Sequence, residues 1–440
     1  MSARPRLTVI GTGYLGATHA VCMAELGFEV LGLDVDQSKV DKLSSGEVPF
    51  YEPGLPELLQ KNLDTGRLHF TTSYDEIGAF GDVHFLCVGT PQKKGEMAAD
   101  MAYVDAAFSS LIPHLREGAL IAGKSTVPAG TAERLAAQLE RDAKVPGVEL
   151  AWNPEFLREG FAVEDTLTPD RLVFGVRSEQ AEAKLRAAFA PVIDIPTPVV
   201  VTDFATAQLV KVSANAFLAT KISFINAMAE VCEATGGDVT LLSKALSYDS
   251  RIGGRFLHAG LGFGGGCLPK DIRAFMARAG ELGVDQALSF LKEVDAINLR
   301  RRARMVDLAR EVAGGSFGGM KVAVLGAAFK PNSDDIRDSP ALDVAATIQR
   351  QGAAVAVYDP AAMDNARVMH PELGYRDSAL EAAKGADLVL HLTEWAEFRE
   401  MDPAVLGEVV AGKHIVDGRN ALDPAAWRAA GWTYRALGRP

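Results

Sequence analysis

Six residues, Gly11-Thr12-Gly13-Tyr14-Leu15-Gly16, separate an apolar run, Leu7-Thr8-Val9-Ile10, from an amphipathic one, Ala17 to Leu26. A strand that runs into GxGxxG and straight on into a helix leaves few folds open. The first glycine permits a tight turn, the second lets the backbone approach a pyrophosphate, and the third lets helix and strand pack. The helix N-terminus then stabilises phosphate charge. A second run, Glu29 to Leu33, ends at Asp34, where a carboxylate can accept from both ribose hydroxyls. An acid there favours NAD over NADP, because a 2′-phosphate would meet like charge. The glycine loop alone is a weak signal. Strand, helix and acid together predict a dinucleotide-binding parallel α/β unit.

The rest of the chain extends that pattern. Strands are expected at Val83 to Val88, Leu120 to Gly123, Val148 to Ala151 and Leu172 to Gly175, with a helix over Val104 to Leu111 and a turn-rich close at Ile193 to Pro198. From Phe204 to Ala234 there is neither Pro nor Gly, and Gly236-Gly237 follows. This predicts one long helix, far above the usual ~11–12 residues, acting as a spine between domains and as a dimer interface. Beyond it, Lys321 to Gly326, Ala354 to Pro360 and Ala386 to Thr393 repeat the order of the first region: strand into glycine, strand into Asp, strand. The expected fold class is α/β, with two Rossmann-like parallel-sheet domains joined by a long central helix. The second sheet has no GxGxxG, so its ligand is expected to differ and to meet the first across a cleft.

Composition sets the outer limits. Of 440 residues, 48% are hydrophobic and 23% charged, which excludes wholesale disorder. The formal net charge of -12 argues against nucleic acid or an anionic membrane as partner. The run Arg300-Arg301-Arg302-Ala303-Arg304 reads as the solvated face of a helix. Cys22, Cys87, Cys232 and Cys267 form no CxxC pair, so neither a disulfide framework nor a metal site is expected. No apolar signal region precedes the first strand and no apolar run approaches membrane-span length, so the expected location is cytoplasmic.

The most informative segment is Gly262-Phe263-Gly264-Gly265-Gly266-Cys267-Leu268-Pro269-Lys270-Asp271. Its glycines read as a mobile backbone able to sit close to a ligand. Pro269 and Asp271 mark a helix start, so Cys267 lies just ahead of a helix N-terminus, a setting that favours a nucleophilic thiolate. The other three cysteines lie among apolar neighbours and read as small buried hydrophobes. Lys211 and Asn215, four residues apart on the long helix, share a face that could hold a developing oxyanion or lie in solvent.

These segments together resemble the UDP-glucose 6-dehydrogenase family, within the wider group of nucleotide-sugar dehydrogenases. The resemblance covers nearly the whole chain. Besides the two glycine loops it rests on Val88-Gly89-Thr90-Pro91, Lys124-Ser125-Thr126-Val127-Pro128, Asn153 to Gly160, Pro169-Asp170-Arg171, Arg251-Ile252-Gly253, Phe329-Lys330-Pro331, Asp334 to Arg337 and Asp417-Gly418-Arg419-Asn420. It implies domains at 1–202 (NAD-binding), 203–300 (central, helical, with the cysteine loop) and 315–440 (UDP-sugar-binding). It implies a homodimer and a four-electron oxidation of UDP-glucose to UDP-glucuronate with two NAD, feeding polysaccharide biosynthesis.

By resemblance, Cys267 is the nucleophile, Lys211 and Asn215 stabilise the oxyanion, Asp271 acts with a water near Thr126, and Glu155 is the base for thioester hydrolysis. Cofactor positions are Gly11, Gly13, Tyr14, Leu15, Gly16, Asp34, Lys39, Thr90, Thr126, Glu159, Lys270 and Arg337. Substrate positions are Glu155, Phe156, Leu157, Arg158, Glu159, Lys211, Asn215, Phe256, Leu257, His258, Ala259, Gly260, Gly264, Lys330 and Arg419, with Arg251 supplied across the dimer. Departures from the family pattern are Ala327-Ala328, the loop Lys93 to Met97, and His258 in place of a longer cation. They leave open GDP-mannose or an N-acetylated UDP-hexosamine as substrate. Two-electron β-hydroxyacid dehydrogenases lack the cysteine, and a non-catalytic sensor would have lost Cys267, Lys211 or Asp271.

Overall fold

The computed structural model describes residues 4–440. The chain forms two compact units: one runs up to Ala214 and includes Arg273–Leu282, the other comprises Asn215–Ile272 and Gly283–Pro440. The division falls inside two continuous helices, the long helix Phe204–Thr235 and the cysteine helix Leu268–Glu281.

The first unit holds β1 (Leu7–Ile10), β2 (Val30–Leu33), β3 (Leu68–Thr71), β4 (Val83–Leu86), β5 (Leu120–Gly123), β6 (Glu149–Trp152), β7 (Leu172–Gly175) and β8 (Val199–Thr202). Their order in the sheet is β3-β2-β1-β4-β5-β6-β7-β8. Every residue of β1, β4 and β5 is buried, as expected where helices cover both faces of a parallel sheet. The helix Tyr14–Glu25 returns the chain from β1 to β2 and buries nine consecutive residues, Gly16 to Ala24. Ile10 is in register with both Leu33 and Leu86, so Gly11, Asp34 and Cys87 leave the sheet side by side at its carboxyl edge. Strand order reverses there, between β1 and β4, which is where open α/β sheets bind ligands. The sheet is not wholly parallel as expected: β6 and β7 run antiparallel.

The second unit holds β9 (Lys321–Leu325), β10 (Ala354–Tyr358), β11 (Gly374–Tyr375), β12 (Leu388–His391), β13 (His414–Asp417) and β14 (Thr433–Ala436), all parallel, in the order β11-β10-β9-β12-β13-β14. This repeats the order of the first six strands of the other sheet. Its core runs from Val322 and Val324 through Leu388 and Leu390 to Ile415 and Val416.

The expectation for the arginine run is also corrected. The Arg300 to Arg304 run lies on the helix Phe290–Val312, but it is not a solvated face: Arg301 is 0% exposed and Arg302 is buried. Arg301 lies 3.5 Å from Glu233 and 3.8 Å from Glu230, and Arg302 lies 2.8 Å from Asp338. Consecutive residues on a helix point about 100° apart, so a run of four cations must turn some of them inward. The inward pair here is neutralised by carboxylates, as buried charge requires.

Candidate active site

In the first unit the glycine turn separates two demands. A Cβ on Gly16 would meet the Gly11 carbonyl at 1.8 Å, and one on Gly11 would meet Val88 at 2.8 Å. Both glycines serve the protein's own packing. A Cβ on Gly13 would meet nothing within 4 Å, so the space before it is open and available to a ligand. Asp34 accepts from the Thr12 amide at 2.9 Å and the Thr12 hydroxyl at 3.2 Å on one oxygen, with Lys39 3.7 Å away, and from the Asp36 amide at 3.1 Å on the other. A carboxylate has about four acceptor positions, so the oxygen bound to Asp36 keeps one for a ribose hydroxyl. Asp359, at the matching strand end of the second unit, has none to spare. It accepts from four backbone amides (Ala327, Ala328, Ala361 and Ala362) and from the Trp395 indole. The residues of the first turn therefore fit NAD, and the second sheet closes its equivalent position. The Thr90 hydroxyl donates to the Thr126 carbonyl at 2.8 Å, tying two more predicted cofactor positions together.

The loop from Asn153 to Gly160 follows β6 and carries the predicted acids. Glu155 pairs with Lys211 at 2.9 Å, and its other oxygen accepts from the Leu157 amide at 2.6 Å. The Lys211 side chain is 6% exposed and that of Glu155 13%. A cation so dehydrated interacts strongly with any negative charge that develops beside it, and deleting either partner costs about 3–5 kcal/mol. The Phe156 ring lies under the Arg171 guanidinium, 3.7 Å away. Arg158 makes a bidentate contact with Asp165. Glu159 is partly buried in the same loop.

In the second unit Cys267 is exposed and immediately precedes the cysteine helix, as expected. Cys22, Cys87 and Cys232 are buried, and burial pushes the thiols of Cys22 and Cys87 up to about 12. The glycines before Cys267 have a different use from the mobility expected of them. A Cβ on Gly264 would meet the Asp338 carbonyl at 2.4 Å, one on Gly265 the Phe329 ring at 2.7 Å, and one on Gly266 the Arg337 guanidinium at 2.2 Å. The loop is packed at Gly264, against backbone, and at Gly265, which also has a left-handed φ of 82°, so both positions demand glycine; at Gly266 the flexible Arg337 side chain, 63% exposed, can move aside. On the first turn of the helix Asp271 is 2% exposed; one oxygen accepts from Asn215 at 2.7 Å and the other from Lys270 at 2.6 Å. Arg337 pairs with Asp335 at 2.7 Å.

Leu257, His258, Ala259 and Arg419, all expected at the substrate, line one cleft of about 550 Å³, inside the usual range for small-molecule sites. Sequence reasoning missed Lys244 and Arg255 on the same cleft. Their signal was present, as two more cations near a predicted phosphate site in an acidic chain. Arg419 also ties the cleft together, donating to the carbonyls of Leu392, Gly262 and Phe329 at 2.7, 2.9 and 3.0 Å. Its loop hangs from Asp417, which is fully buried. This carboxylate lies 2.9 Å from the His391 ring and accepts from the Arg419, Ala421 and Leu422 amides and the Tyr434 hydroxyl. Burial pushes the Asp417 carboxyl up, but His391 and the amides outweigh it and hold the group below the usual carboxylate range. Gly260 packs against the Gly418 carbonyl, and its amide donates to Asn226. Phe256 has a left-handed backbone, φ 64°. The Lys330 ammonium lies 5.4 Å from the Phe329 ring. Arg251 is paired to its neighbour Asp249, its side chain 87% exposed.

A dinucleotide turn on a doubly wound sheet, in a unit that also holds the buried Lys211–Glu155 pair, defines an NAD-dependent dehydrogenase. The comparisons with known proteins agree. Three models of the UDP-glucose/GDP-mannose dehydrogenase family match in order: the NAD binding domain over residues 5–193, the central domain over 205–300 and the UDP binding domain over 323–424. The chain belongs to that family. It is 39% identical to a UDP-glucose 6-dehydrogenase of Rhizobium meliloti, over 99% of this chain and 100% of the relative. The solved UDP-glucose dehydrogenase of Pyrobaculum islandicum superposes with a TM-score of 0.91 at 38% identity, over 100% of this chain and 99% of that one. A UDP-N-acetylmannosamine dehydrogenase of Pyrococcus horikoshii reaches 0.86 at 28%, over 99% of each. No helix among the described residues is long and apolar enough to cross a membrane.

Proposed function

We propose that this enzyme oxidises UDP-glucose to UDP-glucuronate in two steps, with Cys267 carrying the intermediate. The observation that carries the reading is the exposed Cys267 at the head of a helix whose first turn also presents the buried, doubly held Asp271. NAD, when bound, accepts one hydride at each oxidation. The C6 hydroxyl loses its proton to a water that Asp271 activates, while the Lys211 ammonium and the Asn215 amide stabilise the oxygen left behind. The resulting aldehyde takes up the Cys267 thiolate as a thiohemiacetal. Loss of a second hydride and the hydroxyl proton leaves a thioester. Water, deprotonated by Glu155, then cleaves the C–S bond, giving the carboxylate and returning the thiolate. A covalent intermediate keeps the reactive aldehyde from escaping.

Similarity to UDP-glucose enzymes along the full chain favours this sugar over GDP-mannose or an N-acetylated UDP-hexosamine. The cations on the cleft suit a diphosphate. The reading includes a homodimer, supported by Phe217, Phe224 and Val231 on the long helix. These are 66, 47 and 52% exposed and spaced seven residues apart, so they share one face. It places the enzyme in the cytoplasm, where Cys267 stays reduced.

Changing Cys267→Ser tests the chemistry. The variant is expected to bind UDP-glucose as the wild type does and to lose at least about a thousandfold in turnover, the scale seen when a nucleophile is removed. Mass spectrometry of the stalled enzyme should show at most a slowly formed sugar adduct. Near-normal uronate production by this variant would overturn the proposal.

A further inference from the structure

Glu52 belongs to none of the groups assigned above, yet it is 3% exposed and saturated with donors. One oxygen accepts from the Tyr14 hydroxyl and, at 2.6 Å, from the Gly160 amide. The other accepts from the Ala162 amide at 2.7 Å and the Val163 amide at 3.4 Å. The Gly160 amide also lies 3.0 Å from the Tyr14 oxygen, and the Tyr14 ring packs on Phe50 with centroids 4.8 Å apart. Burial and the Glu52 carboxylate push the Tyr14 phenol well above its usual range, so it stays a donor.

Tyr14 is the first residue of the helix that follows the dinucleotide turn. Gly160 to Val163 close the loop that carries Glu155 and Glu159. The other end of that loop is fixed independently, by Asn153 between Lys124 and the Val173 carbonyl. One buried carboxylate thus joins the cofactor turn to the far end of the loop and to the first turn of the helix Ala162–Leu167.

We propose that Glu52 is a positioning residue that couples NAD binding at the glycine turn to order in the 155–163 loop. Fixing the turn fixes the Tyr14 hydroxyl, the hydroxyl fixes the carboxylate, and the carboxylate sets the amides from Gly160 to Val163. A buried acceptor that loses a donor is left unsatisfied, so the contacts form or break together. Coupling of this kind is reciprocal: an ordered loop also tightens NAD. The coupling rests on the cofactor site alone; only its consequence for turnover rests on the sugar chemistry proposed above.

Hydrogen exchange on the full chain, with and without NAD, tests this. In the wild type NAD is expected to slow exchange at the 11–16 turn and also across 155–163. In Glu52→Gln, NAD should still protect the turn, but the added protection of 155–163 should fall at least about tenfold, the weight of one charge-assisted hydrogen bond. Tyr14→Phe keeps every backbone contact of Glu52, removes only the hydroxyl, and should uncouple in the same direction. It decides the matter if Glu52→Gln does not fold. A merely structural Glu52 would loosen the loop equally with and without NAD, leaving the NAD-induced increment intact. That result, or a wild-type loop indifferent to NAD, overturns the proposal.

Discussion

Lys124 shows how much a single buried residue can be asked to bear. It is buried between the Phe85 and Phe189 rings, 5.7 and 5.4 Å from their centroids, and donates to Asn153 at 2.9 Å. Burial holds its ammonium down to about 8, against opposing pulls from Cys87 and Glu155. Between about pH 8 and the usual lysine value of 10.5 the folded protein has released this proton while the unfolded chain still binds it. For this group the unfolded state then carries more protons, so its contribution to stability rises with pH, by at most about 1.4 kcal/mol per pH unit. The raised thiols of Cys22 and Cys87 act in the opposite sense above about pH 9, so the test is a difference. Urea unfolding across about pH 8 to 10 should give a more positive slope in the wild type than in Lys124→Met, and equal slopes in the two would contradict this account. Individual residues were legible in the sequence where their chemistry needs a particular company. Cys267 stood out by its glycines and helix start, and Asp34 by its strand end. Glu52 was not, because what defines it is backbone amides gathered from a distant segment, and these leave no mark on side-chain spacing; Asp417 was noticed only as part of a motif, and its role as the acceptor for its own loop was not read.

At the scale of elements, the long helix was the easiest to read, since an uninterrupted stretch without Pro or Gly can hardly be anything else. The strands of both sheet centres were legible for the same kind of reason, as near-continuous apolar runs. β3, β8, β11, β13 and β14 were not read out. β3, β8, β11 and β14 lie toward sheet edges, where strands are short or half exposed: β11 has two residues, and Val200 and Val201 of β8 are 48 and 40% exposed. The cysteine loop was found for a partly wrong reason, because Gly264 and Gly265 answer to the packing of Asp338 and Phe329. The apolar row on the long helix carries its own prediction. The wild type should sediment as a dimer, and Phe217→Glu combined with Phe224→Glu should sediment as a folded monomer. A fully active wild-type monomer at working concentration would remove the helix from the interface.

For the molecule as a whole, the chain builds the same strand order twice and uses it differently. In the first sheet Asp34 keeps acceptor capacity and Gly13 keeps open space before it; in the second, Asp359 is consumed by its own backbone, and the glycine turn is replaced by Ala327-Ala328. One sheet is left fit for a dinucleotide, and the loop after β13 in the other brings Arg419 to a cleft shared with Lys244 and Arg255. The central claim is that these serve a four-electron oxidation through Cys267. The most direct measurement is a count: limiting UDP-glucose with excess NAD, comparing NADH formed with sugar consumed. The account predicts about two NADH per sugar and UDP-glucuronate as the product, as the thioester route requires. One NADH per sugar, with the aldehyde released, would contradict it.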